Sequence, residues 1–235
     1  PCMDNDFLRR GRPANHIANG EAMALLAGDA LLTRAFEVML CDETIKLVGA
    51  EAAAMAAGCL ARSIGVLGMI GGQVIDLESE GKNLTQVALD KMHSLKTGAL
   101  ITAAAKIGCI AAQANKNEIL AAQSYANSIG LAFQIMDDIL DVTSTSDELG
   151  KNVGSDLAAQ KSTYVSCMGI EKSKRTVLQL TENAIKSLKV FGDKKEFLQF
   201  GLKQKKDEKI SCYPPPYLIM TAFCGIMGSL HKKVW

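Results

Sequence analysis

Apolar residues recur at three- and four-residue steps through most of the first 200 positions, the spacing that lays a stripe along one side of an α-helix. Gly20–Leu40 is rich in Ala, Leu and Met at that spacing, with Asn19 placed as a cap. The pattern predicts a second helix from Asp42 to about Ala57, apolar character continuing through Gly58–Leu77, and a helix capped by Thr85 that runs to about Ala114. Gly98 and Gly108 within it mark kinks or close packing. A long helix capped by Asn117 follows, with Ile119, Ala122, Ala126, Ile129, Phe133, Met136 and Leu140 as its core stripe. Almost no segment alternates with a period of two, and Pro is scarce before 214–216. The expectation is an all-α, single-domain helical bundle over residues 1–208, followed by an atypical tail, 209–235.

One stretch of the long helix breaks the apolar pattern. Gln134, Asp137, Asp138 and Asp141 fall within about 100° of arc on a helical wheel, beside the core stripe rather than on it. Burying that much negative charge is costly unless a cation is held there, so the strip reads as a divalent-metal site. A lone D-D-x-x-D string is equally compatible with chance.

Charge and cysteine usage narrow the alternatives. Lys+Arg 26 against Asp+Glu 25 is not the balance of a nucleic-acid-binding domain. Seven Cys without a C-x-x-C pair and only three His suggest neither a zinc site nor a disulfide framework. Reduced thiols and a cytoplasmic location are the expectation; the chain starts at Pro1 without Met, so organellar targeting stays open. No unbroken apolar run reaches the ~20 residues of a membrane span, and no transmembrane segment is expected. Thr143–Lys161 reads as a loop, with Lys151 and Lys161 placed to close over an anion or simply solvated.

The beginning of the chain adds Asp4, Asp6, Arg9, Arg10 and His16, a mixture of acids and paired guanidinium groups suited to a metal-bound diphosphate, or to a solvated turn. Taken in order, Asp4…Arg9-Arg10-Gly11…Pro13…His16, Gly72-Gln73-Val74-Ile75-Asp76, Lys96-Thr97-Gly98, Gln134…Asp137-Asp138-Ile139-Leu140-Asp141, Gly150-Lys151 and Lys161-Ser162-Thr163-Tyr164 resemble the trans-isoprenyl diphosphate synthases across residues 1–203.

That resemblance implies a bundle around a central cavity, where two Asp-rich motifs hold three Mg²⁺ ions on the diphosphate of an allylic substrate. Asp137, Asp138 and Asp141 match the second motif. Asp4 matches the last acid of the first, whose preceding pair would lie before Pro1, and the helices usual upstream have no counterpart here. By the same carry-over, Arg9 is an allylic-diphosphate ligand and Arg10 an isopentenyl-diphosphate ligand. Lys96, Thr97, Gln134, Lys151 and Lys161 are further diphosphate contacts, and Asp76 lies near the metals. Catalysis would rest on Lys96, Arg9, Arg10 and Asp137. Relatives commonly have an acid where Phe7 stands and a Pro where Val165 stands. The implied protein is a homodimeric prenyltransferase that joins dimethylallyl or geranyl diphosphate to isopentenyl diphosphate.

The segments Gly68–Lys82 and Leu131–Val142 look most like farnesyl diphosphate synthases, with geranylgeranyl diphosphate as the alternative product. A terpene cyclase shares the acidic motif but not Arg9-Arg10 or Lys96-Thr97. A non-catalytic partner subunit would have no need of a costly acidic strip.

Overall fold

The computed structural model describes residues 1–3, 5–9, 11–144 and 161–195. A two-residue hairpin, β1 (Leu8–Arg9) with β2 (Arg12–Pro13), turns through Gly11 at φ 72°. The rest of the described secondary structure is helical: α1 (Asn15–Asn19), α2 (Glu21–Leu40), α3 (Asp42–Val48), α4 (Ala50–Ile64), α5 (Met69–Glu78), α6 (Gln86–His93), a π-helical turn (Ser94–Gly98), α7 (Ala99–Ala111), α8 (Lys116–Thr143), α9 (Tyr164–Met168), α10 (Ile170–Ser187) and a 3₁₀ segment (Leu188–Lys195). The all-α expectation holds. The Thr143–Lys161 loop and the 209–235 tail lie, but for Thr143, Ser144 and Lys161, outside the described residues.

Several boundaries depart from the sequence reading, each for a local reason. Asn19 does not cap α2; it closes α1, its Nδ2 donating to Asn15 Oδ1. The second helix is two, because Gly49 at φ 89° stands between α3 and α4 in a conformation that L side chains avoid. Thr85 does cap α6, its hydroxyl accepting from the Ala88 N–H. Asn115, not Asn117, caps α8: Asn115 Oδ1 accepts from the N–H groups of Asn117 and Glu118, while Glu118 Oε2 accepts from the Asn115 N–H. Glu118 three residues on decides between the two asparagines, because only Asn115 closes the reciprocal capping box.

Helix α8 forms the centre of the packing. Toward its start, Ala122, Tyr125, Ala126 and Ile129 meet Ala105 and Cys109 of α7 and Ala184 of α10. Toward its end, Ile135 and Ile139 meet Leu89 and Met92 of α6 and Tyr164 of α9. The expected stripe is therefore right in its first half only. Phe133, Met136 and Leu140 are half-buried, whereas Asp138 and Asp141 are 6% and 3% exposed, because α6 and α9 cover the side of α8 expected to face a cavity or cleft.

The stretches Ala50–Glu78 and Gln86–Ala111 are apolar and long enough to cross a membrane by length and composition, although polar residues interrupt both. Here they pack against each other and carry Asp76 and Lys96 into mutual contact. Helix α2 is apolar on more than one side yet has no buried residue, with Leu25 and Leu31 67% and 74% exposed.

Candidate active site

The π-helical turn sets the site. An i→i+5 turn inserts one residue into a helix and re-aims the side chains around it. Here it presents Lys96 and Thr97, half-buried, between α5 and α8. Two glycines allow the approach. A Cβ on Gly72 would stand 2.5 Å from Lys96 Cα and 2.8 Å from the Leu95 carbonyl carbon, and one on Gly130 would stand 3.3 Å from Gly98 Cα. Backbone therefore lies on backbone on the α5 side, a contact no side chain could keep.

Helix α5 then supplies Asp76, whose Oδ2 accepts a 2.6 Å hydrogen bond from Lys96 Nζ and lies 3.7 Å from Lys161 Nζ. All three side chains are at least three-quarters buried. Two ammonium groups about one carboxylate leave the group net cationic, and partial burial strengthens its pull on an anion. Asp76, expected near the metals, is thus engaged by Lys96 and Lys161. A small crevice beside it is lined by Asp76, Ser79, Leu84, Met92, Lys161 and Ser162. A larger cavity of about 450 Å³, between α4 and α7 and reaching Ile119 of α8, is lined by Arg62 and Lys106 with apolar residues and does not include this cluster.

The acidic strip is less uniform than its helical wheel suggests. Asp138 Oδ2 accepts a 2.6 Å hydrogen bond from the Tyr164 N–H, satisfying a donor at the start of α9. Asp141 Oδ1 is buried with no hydrogen-bond partner, and Asp137 is half-buried. Among the described residues no group of three or more His, Cys, Asp and Glu side chains is gathered closely enough to hold a metal ion. Of the expected metal ligands, Asp138 and Asp76 are engaged by protein donors here. The chemistry of Asp141 fits a divalent cation, because a buried carboxylate oxygen without a donor is costly until a positive charge meets it.

Gln134 lies beside His93, and neither ring nitrogen of His93 makes a well-formed hydrogen bond. Burial, and secondarily the Lys96 charge, hold His93 neutral, with its pKa lowered to about 4. The ring stacks on Tyr164 at 5.4 Å between centroids. Tyr164 is fully buried, and its hydroxyl donates to Asp90 Oδ1 at 2.7 Å; burial, followed by the Asp90 bond, raises its pKa. His93 and Asp90 went unnoticed in the sequence, where a single His or Asp in an amphipathic helix carries no signal. Tyr164 is visible there only as the last residue of the Lys161-Ser162-Thr163-Tyr164 string.

Lys96, Thr97, Gln134, Lys161 and Asp76 are thus brought to one region around α5, the π turn and α8. Arg9 lies exposed on the β1–β2 hairpin, and its strand partner is Arg12. Asp4, Arg10 and Lys151 lie outside the described residues.

Comparison with known proteins identifies the family. Residues 2–199 match the family model described as Polyprenyl synthetase. Among curated relatives, the heterodimeric geranylgeranyl pyrophosphate synthase large subunit 1, chloroplastic, of Arabidopsis thaliana is 46% identical over 78% of this chain and 50% of its own length. The geranylgeranyl diphosphate synthase of Cyanophora paradoxa is 46% identical over 83% of this chain and 64% of its own length. The chain thus spans between half and two-thirds of these two relatives. Among solved structures, the geranyltransferase of Helicobacter pylori complexed with magnesium and isoprenyl diphosphate superposes with TM-score 0.73 at 29% identity, covering 99% of this chain and 68% of that one. An FPP/GFPP synthase from Zymomonas mobilis superposes with TM-score 0.74 at 34% identity, over 87% of this chain and 68% of that one. With the family model matched over nearly all of the helical region, the chain belongs to the polyprenyl synthetase family.

Proposed function

We propose that the protein carrying this chain is a prenyltransferase that extends an allylic diphosphate with isopentenyl diphosphate. The observation that carries the reading is the convergence of Lys96 and Lys161 on Asp76, beside a helix with a buried, unpartnered carboxylate oxygen at Asp141. One half of that arrangement suits a diphosphate and the other a cation that bridges to it. Names of similar proteins favour geranylgeranyl diphosphate as product over the farnesyl diphosphate expected from sequence. They likewise favour a chloroplast over the cytoplasm. Exposed apolar residues over most of α2 support a second copy of the chain, or another part of the protein, packed there.

Mg²⁺, held on the resemblance by Asp137, Asp138, Asp141 and Asp4, would neutralise charge on the diphosphate leaving group. Lys96 and Lys161 bind diphosphate oxygens, exchanging part of their pairing with Asp76 for a more highly charged partner. Thr97 and Gln134 add hydrogen bonds, as do Arg9, Arg10 and Lys151 by resemblance. With the leaving group so bound, the allylic C–O bond breaks and its electron pair departs with the diphosphate. The double bond of isopentenyl diphosphate attacks the carbocation, forming the new C–C bond. A proton then leaves to the released diphosphate, and the product is an allylic diphosphate five carbons longer.

The test is incubation of the full-length protein with isopentenyl diphosphate and dimethylallyl, geranyl or farnesyl diphosphate, with and without Mg²⁺, followed by measurement of product length. Mg²⁺-dependent formation of a twenty-carbon product is expected. No elongation with any pair of substrates overturns the catalytic reading and leaves the partner-subunit alternative.

A further inference from the structure

The segment that follows the lysine at 161 is fastened to three separate elements within seven residues. Ser162 Oγ donates to the Lys82 carbonyl and accepts from the Leu84 N–H, both in the turn between α5 and α6. Tyr164 reaches α8 through its N–H, bound to Asp138, and α6 through its hydroxyl, bound to Asp90. Cys167 Sγ lies 3.3 Å from the Leu84 carbonyl as a weak donor. Of these, only the Tyr164 side chain is wholly buried and held by a charged partner. Its ring, stacked on His93, fixes its height along α6 one turn before Lys96.

From this geometry we infer that Asp90 and Tyr164 form a clasp that positions both halves of the diphosphate site. The inference rests on the prenyltransferase reading and adds two positioning residues to it. Tyr164 is bound to Asp138 on α8 and lies three residues from Lys161, so the place where its hydroxyl is anchored sets two things together. One is the orientation of the acidic strip, through the Tyr164 N–H. The other is the distance from Lys161 Nζ to Asp76 and to any anion held there. Neither Asp90 nor the Tyr164 hydroxyl touches the substrate site; both act through Asp138 and Lys161. An O–H···O⁻ bond to a carboxylate is among the stronger neutral-to-ion contacts, and it is removed without loss of ring volume by Tyr164→Phe.

The experiment compares wild-type, Tyr164→Phe, Asp90→Asn and double-variant full-length protein. Calorimetry measures binding of inorganic diphosphate in excess Mg²⁺, hydrogen exchange follows the 161–168 and 134–143 amides, and steady-state kinetics separates the KM values of the two substrates. Each single variant should bind Mg²⁺–diphosphate roughly tenfold more weakly, in the range seen when a group that orients a metal ligand is removed. The double variant should be no worse than either single one. Exchange at 161–168 should rise, and KM should rise for the allylic substrate but not for isopentenyl diphosphate. Wild-type protein that binds no Mg²⁺–diphosphate would sink the prenyltransferase reading and the clasp with it. Normal wild-type binding that both folded variants retain, or additive losses in the double variant, overturns the clasp alone. Loss of thermal stability with unchanged diphosphate binding also overturns it, because that is what an ordinary core tyrosine would do.

Discussion

Gly72 on α5 and Lys96 in the π turn meet backbone to backbone, so closely that a Cβ on Gly72 would lie 2.5 Å from Lys96 Cα. The contact joins two requirements of the site. Helix α5 must come near enough for Asp76 to take the Lys96 ammonium, and the π turn must hold that lysine between α5 and α8. Only a residue without a side chain meets both.

Gly72→Ala should therefore displace the π turn rather than merely crowd it. We expect a loss of about 1–3 kcal/mol in stability, the usual range for overpacking. A rise in KM for the allylic diphosphate should accompany it, exceeding any change for isopentenyl diphosphate. Chemical denaturation and substrate kinetics check the two parts; equal effects on both substrates would contradict the link to Lys96.

His93 predicts a pH dependence of stability. Its pKa, about 4 in the folded protein, lies below the ordinary histidine value of 6.5. Between these values the unfolded chain binds a proton that the folded one refuses, so stability present above pH 6.5 is lost progressively as pH falls toward 4. The difference approaches about 3 kcal/mol at the acid end. Lys96 adds to it, while Asp76 and Asp90 and the Gln134 amide oppose it. His93→Phe keeps a ring against Tyr164 and should remove that slope. Urea midpoints of both proteins across this range give the comparison, and parallel curves would exclude His93 as the source.

Loss of the capping box should weaken α8 from its start. Asn115→Ala leaves the N–H groups of Asn117 and Glu118 without their side-chain acceptor, at about 1 kcal/mol. Asn117→Ala should cost a few tenths at most. The thermal midpoints of the two variants separate these outcomes, and an equal fall would return the cap to Asn117.

Asp137→Ala should abolish most of the prenyl-transfer rate and weaken Mg²⁺ binding while leaving the far-ultraviolet dichroism of the helices unchanged. Asp137 is half-buried near the end of α8 rather than packed in either core cluster. A near-normal rate would remove it from the metal set.

How much of this was legible in sequence depended on the range of the interaction. Periodicity identified the helices, and Thr85 marked one of their starts, because those signals lie within one helical turn; Asn117 was placed as a cap two residues past the true one, Asn115. The ordered motifs identified the family, since Lys96-Thr97 and Asp137-Asp138 are local strings even when their partners are distant. The same local view misplaced Asn19 as a cap and ran α3 and α4 together across Gly49. It also treated Asp137, Asp138 and Asp141 as equivalent, because a helical wheel cannot show which neighbours cover each side.

The amino-acid sequence by itself thus determined the all-α class and the family, both of which follow from residue type and short spacing. Tertiary structure decided what each site residue does. It gave Asp76 to two lysines that lie 20 and 85 positions away along the chain, gave Asp138 to the Tyr164 N–H, and left a buried oxygen of Asp141 without a donor. The physical reason is that a carboxylate's role is set by the charges and donors within a few ångströms of it. In this protein those groups come from helices that only folding brings together.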